Sequence, residues 1–215
     1  MDVQTQIVLD LLRDFSGATV LDAGGGHGQL AVPLVRRGFD VTVTGSDDSC
    51  RNRLDRLLPR GGFVYRTCDH LKMPFSDRQF DIVTAFRLLP HVQQWRRLMA
   101  EMCRISRQVV IFDYADRRSA NLFYTALFAV KKKMEGNTRT FLLFSRPEVA
   151  GELDRNGFTD IRFEPEFFIP MVLHRKANRP RMSAACEKLA GALGLKRSLG
   201  SPIIVRGSRL PQSSG

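Results

Sequence analysis

The chain is expected to fold as one α/β domain, a largely parallel sheet with helices on both faces. Three observations carry this expectation. Short apolar runs alternate with segments of helical apolar spacing over the first 114 residues. Strands separated by helices imply crossover connections between parallel neighbours. The first apolar run ends in a glycine cluster, Gly24, Gly25, Gly26 and Gly28, as a strand does when it turns tightly into a helix. A length of 215 residues, 43% hydrophobic and 26% charged, is enough to bury one core without disulfides or metal.

Each element follows from its spacing. Val3, Ile7, Val8, Leu11, Leu12 and Phe15 predict a helix over 3–15. Residues 19–22 read as a strand, 30–37 as a helix and 40–44 as a strand. A basic helix over 50–58 is stopped by Pro59 and Gly61–Gly62. Strands follow at 63–68 and 80–86, a helix at 91–105 and a fifth strand at 108–114. Beyond Tyr114 the alternation changes. Residues 119–134 read as a long helix with Phe123, Tyr124 and Phe128 on one face. A helix over 147–156 is closed by Gly157, and 159–163 is strand-like. The apolar run 167–173 is broken by Pro170, 183–193 is helical, and 203–206 is a last strand. The domain is read as 1–210, with 211–215 a disordered tail.

Four cysteines, Cys50, Cys68, Cys103 and Cys186, form no CxxC pair. Neither a zinc site nor a disulfide framework is expected, and a reducing compartment such as the cytoplasm is the simpler reading. The segment MDVQTQIVLDLLRDF has no basic stretch followed by an apolar run, so no signal peptide is read. The most apolar stretch, 120–130, is shorter than the roughly 20 residues that a spanning helix takes. Net charge is +11. From Met171 onward nine Lys/Arg stand against the single acid Glu187, so +8 of that charge lies there. Such a segment suits an anionic partner (nucleic acid, a membrane surface or a charged substrate) and equally a solvated basic face.

The glycine loop is the most informative segment. A dinucleotide fingerprint GxGxxG begun at Gly24 would need glycine where Gln29 stands, so a pyrophosphate site is not expected. No GKS or GKT follows, which excludes a P-loop. Asp22 precedes the loop, Asp47 ends the second strand in TGSDDS, and Asp69 ends the third in CDHLKMPF. A carboxylate at the end of the second strand can accept from both hydroxyls of a ribose. Asp69 can accept from an exocyclic adenine amine. Together these favour an adenosine-type ligand that carries no phosphates.

At these residues the chain resembles the class I S-adenosylmethionine-dependent methyltransferases, in particular the small-molecule branch of ubiquinone and menaquinone biosynthesis. VLDAGGGHG is similar to the family's first motif throughout, and Leu71, Pro74 and Phe75 follow Asp69 as in the family. FDIVTAFRLLPHV matches the fourth-strand motif, with its His91–Val92 pair. The resemblance covers about residues 3–165. It implies a Rossmann-like seven-stranded sheet whose last strand, placed at 203–206 beside 159–163, is antiparallel. It implies S-adenosylmethionine as cofactor, held by Asp22, Ala23, Gly24, Gly25, Gly26, Gly28, Asp47, Asp48, Asp69, His70 and Phe86. Two departures stand out. The family's Pro-Gly-Gly turn before the fifth strand is replaced by Ser106-Arg107-Gln108. Only about fifteen residues precede the first strand, so the substrate cap is expected from 115–145 and 165–201.

Methyl transfer from a sulfonium is an in-line displacement whose leaving group becomes neutral. Alignment and exclusion of water then supply much of the rate. A base is needed only where the acceptor must lose a proton. The candidate catalytic residues are His91 as base, Arg87 as a contact to an acceptor carboxylate or phosphate, and Tyr114, with Asp113 beside it at the same mouth. His27 and His70 read as loop or adenine-flanking residues, His174 as solvated and Trp95 as core. The leading acceptor class is a small-molecule or lipid-linked phenol or hydroxyl compound, with 121–128 and 167–173 as an apolar pocket or membrane-facing edge. Lys131–Lys133 and the basic tail would suit an anionic headgroup surface. An RNA methyltransferase is the alternative, since LDAGGGHGQ is similar to the loop of bacterial enzymes that methylate a modified wobble uridine in transfer RNA, and the tail would supply phosphate contacts. A non-catalytic cofactor-binding module is the third reading.

Overall fold

The β-prone runs of the sequence assemble into one sheet in the computed structural model, which describes residues 3–58, 61–117, 141–166 and 202–209. In chain order the elements are α1 (Val3–Leu11), β1 (Thr19–Ala23), α2 (Ala31–Arg36), β2 (Asp40–Gly45), α3 (Ser49–Leu57) and β3 (Val64–Thr67). There follow β4 (Phe80–Ala85), a 3-10 turn (Leu89–His91), α4 (Trp95–Ile105), β5 (Ser106–Tyr114), α5 (Arg146–Arg155), β6 (Asp160–Pro165) and β7 (Ile203–Ser208). The sheet has seven strands in the order β3-β2-β1-β4-β5-β7-β6. The first five are parallel, and β7 runs antiparallel between β5 and β6. The antiparallel last strand beside 159–163 is as expected. The strand order reverses between β1 and β4, so the crevice for a ligand lies at their carboxyl ends.

Side-chain alternation divides the core. Leu21, Val83, Val110 and Phe112 face α4 and α5 in one cluster. Val20, Ile82, Val109 and Ile111 face α1, α2 and α3 in the other. Each fully buried Leu, Ile or Phe contributes roughly 1.5–3 kcal/mol. Trp95 is core, as expected, with Arg96 stacked over its indole. Helix α5 begins where Ser145 and Glu148 form a reciprocal capping box, with Pro147 in the first turn.

Two boundaries differ from the expectation in an informative way. The helix expected over 91–105 begins at Trp95, because Pro90 and its neighbours close a separate 3-10 turn over Leu89–His91. The strand expected from Gln108 begins at Ser106, directly after α4. The residues that stand in place of the Pro-Gly-Gly turn are therefore themselves strand, with no turn between α4 and β5. The surplus residue is taken up as a bulge: Phe80 pairs with Ser106, but Ile82 pairs with Val109. Arg107 and Gln108 both reach Asp81 from this bulge, and Asp81 also accepts from the Thr19 amide and hydroxyl. One carboxylate thus ties β1, β4 and β5 together at their amino ends.

The helices expected over 119–134 and 183–193, the run 167–173, Cys186, His174 and the tail 211–215 lie outside the described residues. Of the expected cap segments, 115–117, 141–145 and 165–166 are described. Of the nine basic residues after Met171, Arg206 and Arg209 are described, and both are structural. Arg209 donates to the Asn156 and Cys103 carbonyls and stacks on Phe158, and Arg206 lies over Phe15. Among the described residues no helix is long and apolar enough to cross a membrane.

Candidate active site

The carboxyl end of β1 carries Asp22 and Ala23, and the glycine loop folds back over them. Gly24 and Gly28 adopt φ of +74° and +72°, conformations that L side chains rarely take. Gly25 passes so close that a Cβ there would stand 2.0 Å from Asp22 Oδ2. The loop is therefore a lid on a buried carboxyl. Asp22 is 2% exposed. The Thr84 hydroxyl donates to its Oδ1 at 3.0 Å, while Oδ2 has no hydrogen-bond partner. Burial pushes the Asp22 pKa up to about 7, against the opposing pull of the Thr84 hydroxyl and the Ala31 backbone.

Asp47 follows β2 and is exposed. It accepts from the Ser49 hydroxyl and amide, which, ahead of a weaker contact from Ser46, hold its carboxyl below the ordinary value. The Tyr65 hydroxyl donates to the Asp47 carbonyl at 2.5 Å, and the Thr67 hydroxyl to Asp48 Oδ1 at 2.6 Å. The loop that presents Asp47 is thus tied to β3 at two points. Asp69 accepts from the Leu71 amide at 2.9 Å, which turns the chain after β3. His70 lies 3.2 Å from the Thr44 hydroxyl. Burial pulls its imidazole pKa down, and Asp69 partly offsets that.

The third part of the site follows β4. Phe86 packs against the cluster under α1, and Arg87 is exposed with φ of +56°. Its backbone N–H donates to Asp113 Oδ1 at 2.6 Å. His91, exposed at the end of the 3-10 turn, meets the Phe141 ring edge-on at 5.6 Å. The Leu142 amide donates to the Pro90 carbonyl, and Phe144 packs on Trp95. Residues 141–144 therefore close back on the turn that carries His91.

The glycine loop, Asp22, Asp47, Asp48, Asp69, His70, Phe86, Arg87 and His91 all lie along one edge, the carboxyl ends of β1 to β4. Tyr114 does not join them. It was expected at the same mouth as Asp113, but successive strand residues face opposite sides of a sheet. Tyr114 is fully buried in the cluster under α4 and α5, edge-on to Phe144. Asp113 faces α1 instead, 5% exposed, and burial pushes its pKa up to about 6 against the Arg87 amide and charge. Sequence reasoning also missed Thr84, the partner of Asp22, and Gln4 on α1, whose Nε2 lies 3.5 Å from Asp113 Oδ2. The signal for Thr84 was a hydroxyl in an otherwise apolar strand end, VTAF.

Fold and site define a doubly wound α/β domain whose polar groups gather at the switch point beside a glycine loop. Residues 4–162 match the family model described as a methyltransferase domain, and the chain belongs to that family. The chain is 35% identical over 117 residues to the phthiotriol/phenolphthiotriol dimycocerosates methyltransferase of Mycobacterium tuberculosis, covering 50% of this chain and 41% of that protein. It is 35% identical over 109 residues to the 2-phytyl-1,4-naphtoquinone methyltransferase of Nostoc punctiforme, covering 46% and 47% respectively. The chain thus spans less than half the length of these curated relatives. Among solved structures, the magnesium protoporphyrin IX methyltransferase of Synechocystis with bound SAH superposes with a TM-score of 0.67 at 17% identity, over 96% of this chain and 82% of that one. The family and seven-stranded fold implied by the motifs are thereby borne out.

Proposed function

We propose that the chain is an S-adenosylmethionine-dependent methyltransferase acting on the hydroxyl or phenol of a small-molecule or lipid-like acceptor. The observation that carries this reading is the cradle itself: a glycine loop with no room for a Cβ, closed over a buried carboxyl with an unpartnered oxygen. These residues fit the cofactor. Asp47 would hold its ribose, Asp69 and His70 would flank its adenine, and Asp22 with residues 24–28 would take the amino-acid end. S-adenosylmethionine supplies a methyl group made electrophilic by its sulfonium.

The chain's own part is positioning and proton handling. Asp22, poised near neutrality, offers its charge to a cationic group arriving above it. Phe86 and Leu88, half-buried just after β4, would help to exclude water there. Arg87, exposed at the mouth, would bind an anionic group of the acceptor. The His91 imidazole would take the acceptor's hydroxyl proton. Residues 141–145 and 115–117, joined by the Phe144–Ala115 and Arg117–Phe144 backbone bonds, would stand on the acceptor side of the site. The relatives' names support the lipid-like class: one is a phthiotriol/phenolphthiotriol dimycocerosates methyltransferase and another a 2-phytyl-1,4-naphtoquinone methyltransferase.

The test is a methyl-labelling partition. Protein, extract of the source cells and methyl-labelled S-adenosylmethionine are incubated, then separated into RNA, protein, organic and aqueous fractions. Label in the organic fraction is expected. Label in RNA alone, or no cofactor binding by calorimetry, overturns the reading.

A further inference from the structure

Under α1 a chain of polar groups crosses the apolar cluster. Gln29 Nε2 donates to Gln4 Oε1 at 3.1 Å. Gln4 Nε2 donates in turn to Asp113 Oδ2 at 3.5 Å, and Asp113 Oδ1 accepts the Arg87 backbone N–H at 2.6 Å. Gln4 and Asp113 are each 5% exposed, and the elements that carry them, α1 and β5, contribute Val8, Leu9 and Ile111 to the apolar cluster. Burying an amide and a carboxylate among such residues is costly unless they are bonded.

The two ends of the chain are the relevant places. Gln29 is the first residue after the glycine loop. Arg87 is the second residue after β4, and it holds a left-handed backbone that a non-glycine residue keeps only where its surroundings over-determine it. Asp113 Oδ1 is the group that holds it. Four residues on stands His91.

We infer that Gln4 and Asp113 are positioning residues: through the bridge Gln29–Gln4–Asp113, helix α1 fixes the left-handed turn at Arg87 and couples it to the glycine loop. Neither residue touches the reacting atoms. They set the shape of the segment that carries Arg87 and His91, and α1 thereby belongs to the acceptor side of the site as well as to the core. The description of that segment as an acceptor mouth rests on the proposed methyl transfer. The bridge itself does not.

Residue-level amide hydrogen exchange tests it on the ligand-free full chain. Gln4→Met keeps the side chain's size and removes both bonds. It should speed exchange of the Arg87 amide about tenfold, the equivalent of one lost hydrogen bond. Gln6→Met makes the same change on the exposed face of α1, where Gln6 pairs with Asp10, and should leave Arg87 unmoved. Asp113→Asn retains an oxygen for the Arg87 amide and should restore most of the protection that Asp113→Ala loses. If Gln4→Met loosens all of α1, Gln29→Met decides, with a rise of about threefold at Arg87 expected. Equal exchange at Arg87 in wild type, Gln4→Met and Gln29→Met overturns the inference. In parallel, S-adenosylhomocysteine should slow Arg87 exchange in wild type and do so less in Gln4→Met. Failure of wild type to bind it would sink the proposed function, while the ligand-free comparison would still decide the bridge.

Discussion

Asp22→Asn should stabilise the ligand-free protein at alkaline pH while removing its cofactor affinity. The substitution keeps the shape of the side chain and removes its charge. Asp22 has a folded pKa of about 7 against an ordinary 3.8, so the folded state binds the proton more tightly than the unfolded chain. Its contribution to stability is therefore best at low pH and declines as pH rises from 3.8 through about 7. At about 1.4 kcal/mol per pH unit, the decline between pH 5 and pH 8 is about 3 kcal/mol. An asparagine pays no such cost, although its amide nitrogen would stand where Oδ2 now has no partner. Near parity with wild type is expected at pH 5, and an advantage of about 2–3 kcal/mol at pH 8, or roughly 4–12 °C in Tm for a chain of this size. Urea unfolding of both proteins at the two pH values measures it. Titration of Asp113 and of other groups is common to both proteins and cancels in the difference. A stability difference that does not change with pH would show that Asp22 is not a buried charge held against its preference.

Gly25→Ala places a methyl group 2.0 Å from Asp22 Oδ2; cofactor binding should fall below detection by calorimetry while circular dichroism stays native. Asp47→Ala, at an exposed position, should weaken S-adenosylhomocysteine binding by tenfold or more through loss of the ribose contacts proposed for it, while circular dichroism stays native. Arg104 donates to the Met73 and Phe75 carbonyls and to Asp77, and its partner Glu101 accepts the Met73 amide. Arg104→Met should therefore cost about 2–3 kcal/mol in denaturant unfolding and loosen the loop after Asp69, seen as faster proteolysis near residue 76.

Much of this architecture was legible because its signals are local. The run TVLDA leads into glycine, DVTVTG alternates, and Gly157 closes a helix; each is decided within a few residues. The proposed cofactor side was legible for the same reason, since Asp22 lies at the end of one recognisable strand and Asp47 and Asp69 closely follow two others. The proposed acceptor side was not. Whether Asp113 or Tyr114 faces the mouth depends on which face of β5 lies under α1, and an apolar strand buried on both faces carries no alternation to show it. Gln4 in VQTQIVL reads as one more polar residue of an amphipathic helix. Its role depends on contacts to Gln29 and Asp113, 25 and 109 residues away. The bulge at Ser106 was hidden because a missing turn looks the same in sequence as a short one.

The three carboxylates bonded within the sheet's central strands divide by the end they occupy. Burial raises Asp81 at the amino end, but the Thr19 amide and hydroxyl, then Arg107 and Gln108, outweigh it and hold that acid below its ordinary value. Its contribution to stability is present above that value and lost as pH falls. Asp22 and Asp113 at the carboxyl end have the opposite sign: each is pushed up by burial that its hydrogen bonds do not offset. A sheet selected for stability alone would treat both ends alike, by pairing the acids or replacing them. Acids kept at a cost on one end only, beside a glycine loop and a strained Arg87, mark that end as the one shaped by chemistry rather than by folding. This asymmetry is a physical sign of the site that stands apart from any motif, and the pH-dependent gain predicted for Asp22→Asn measures it directly.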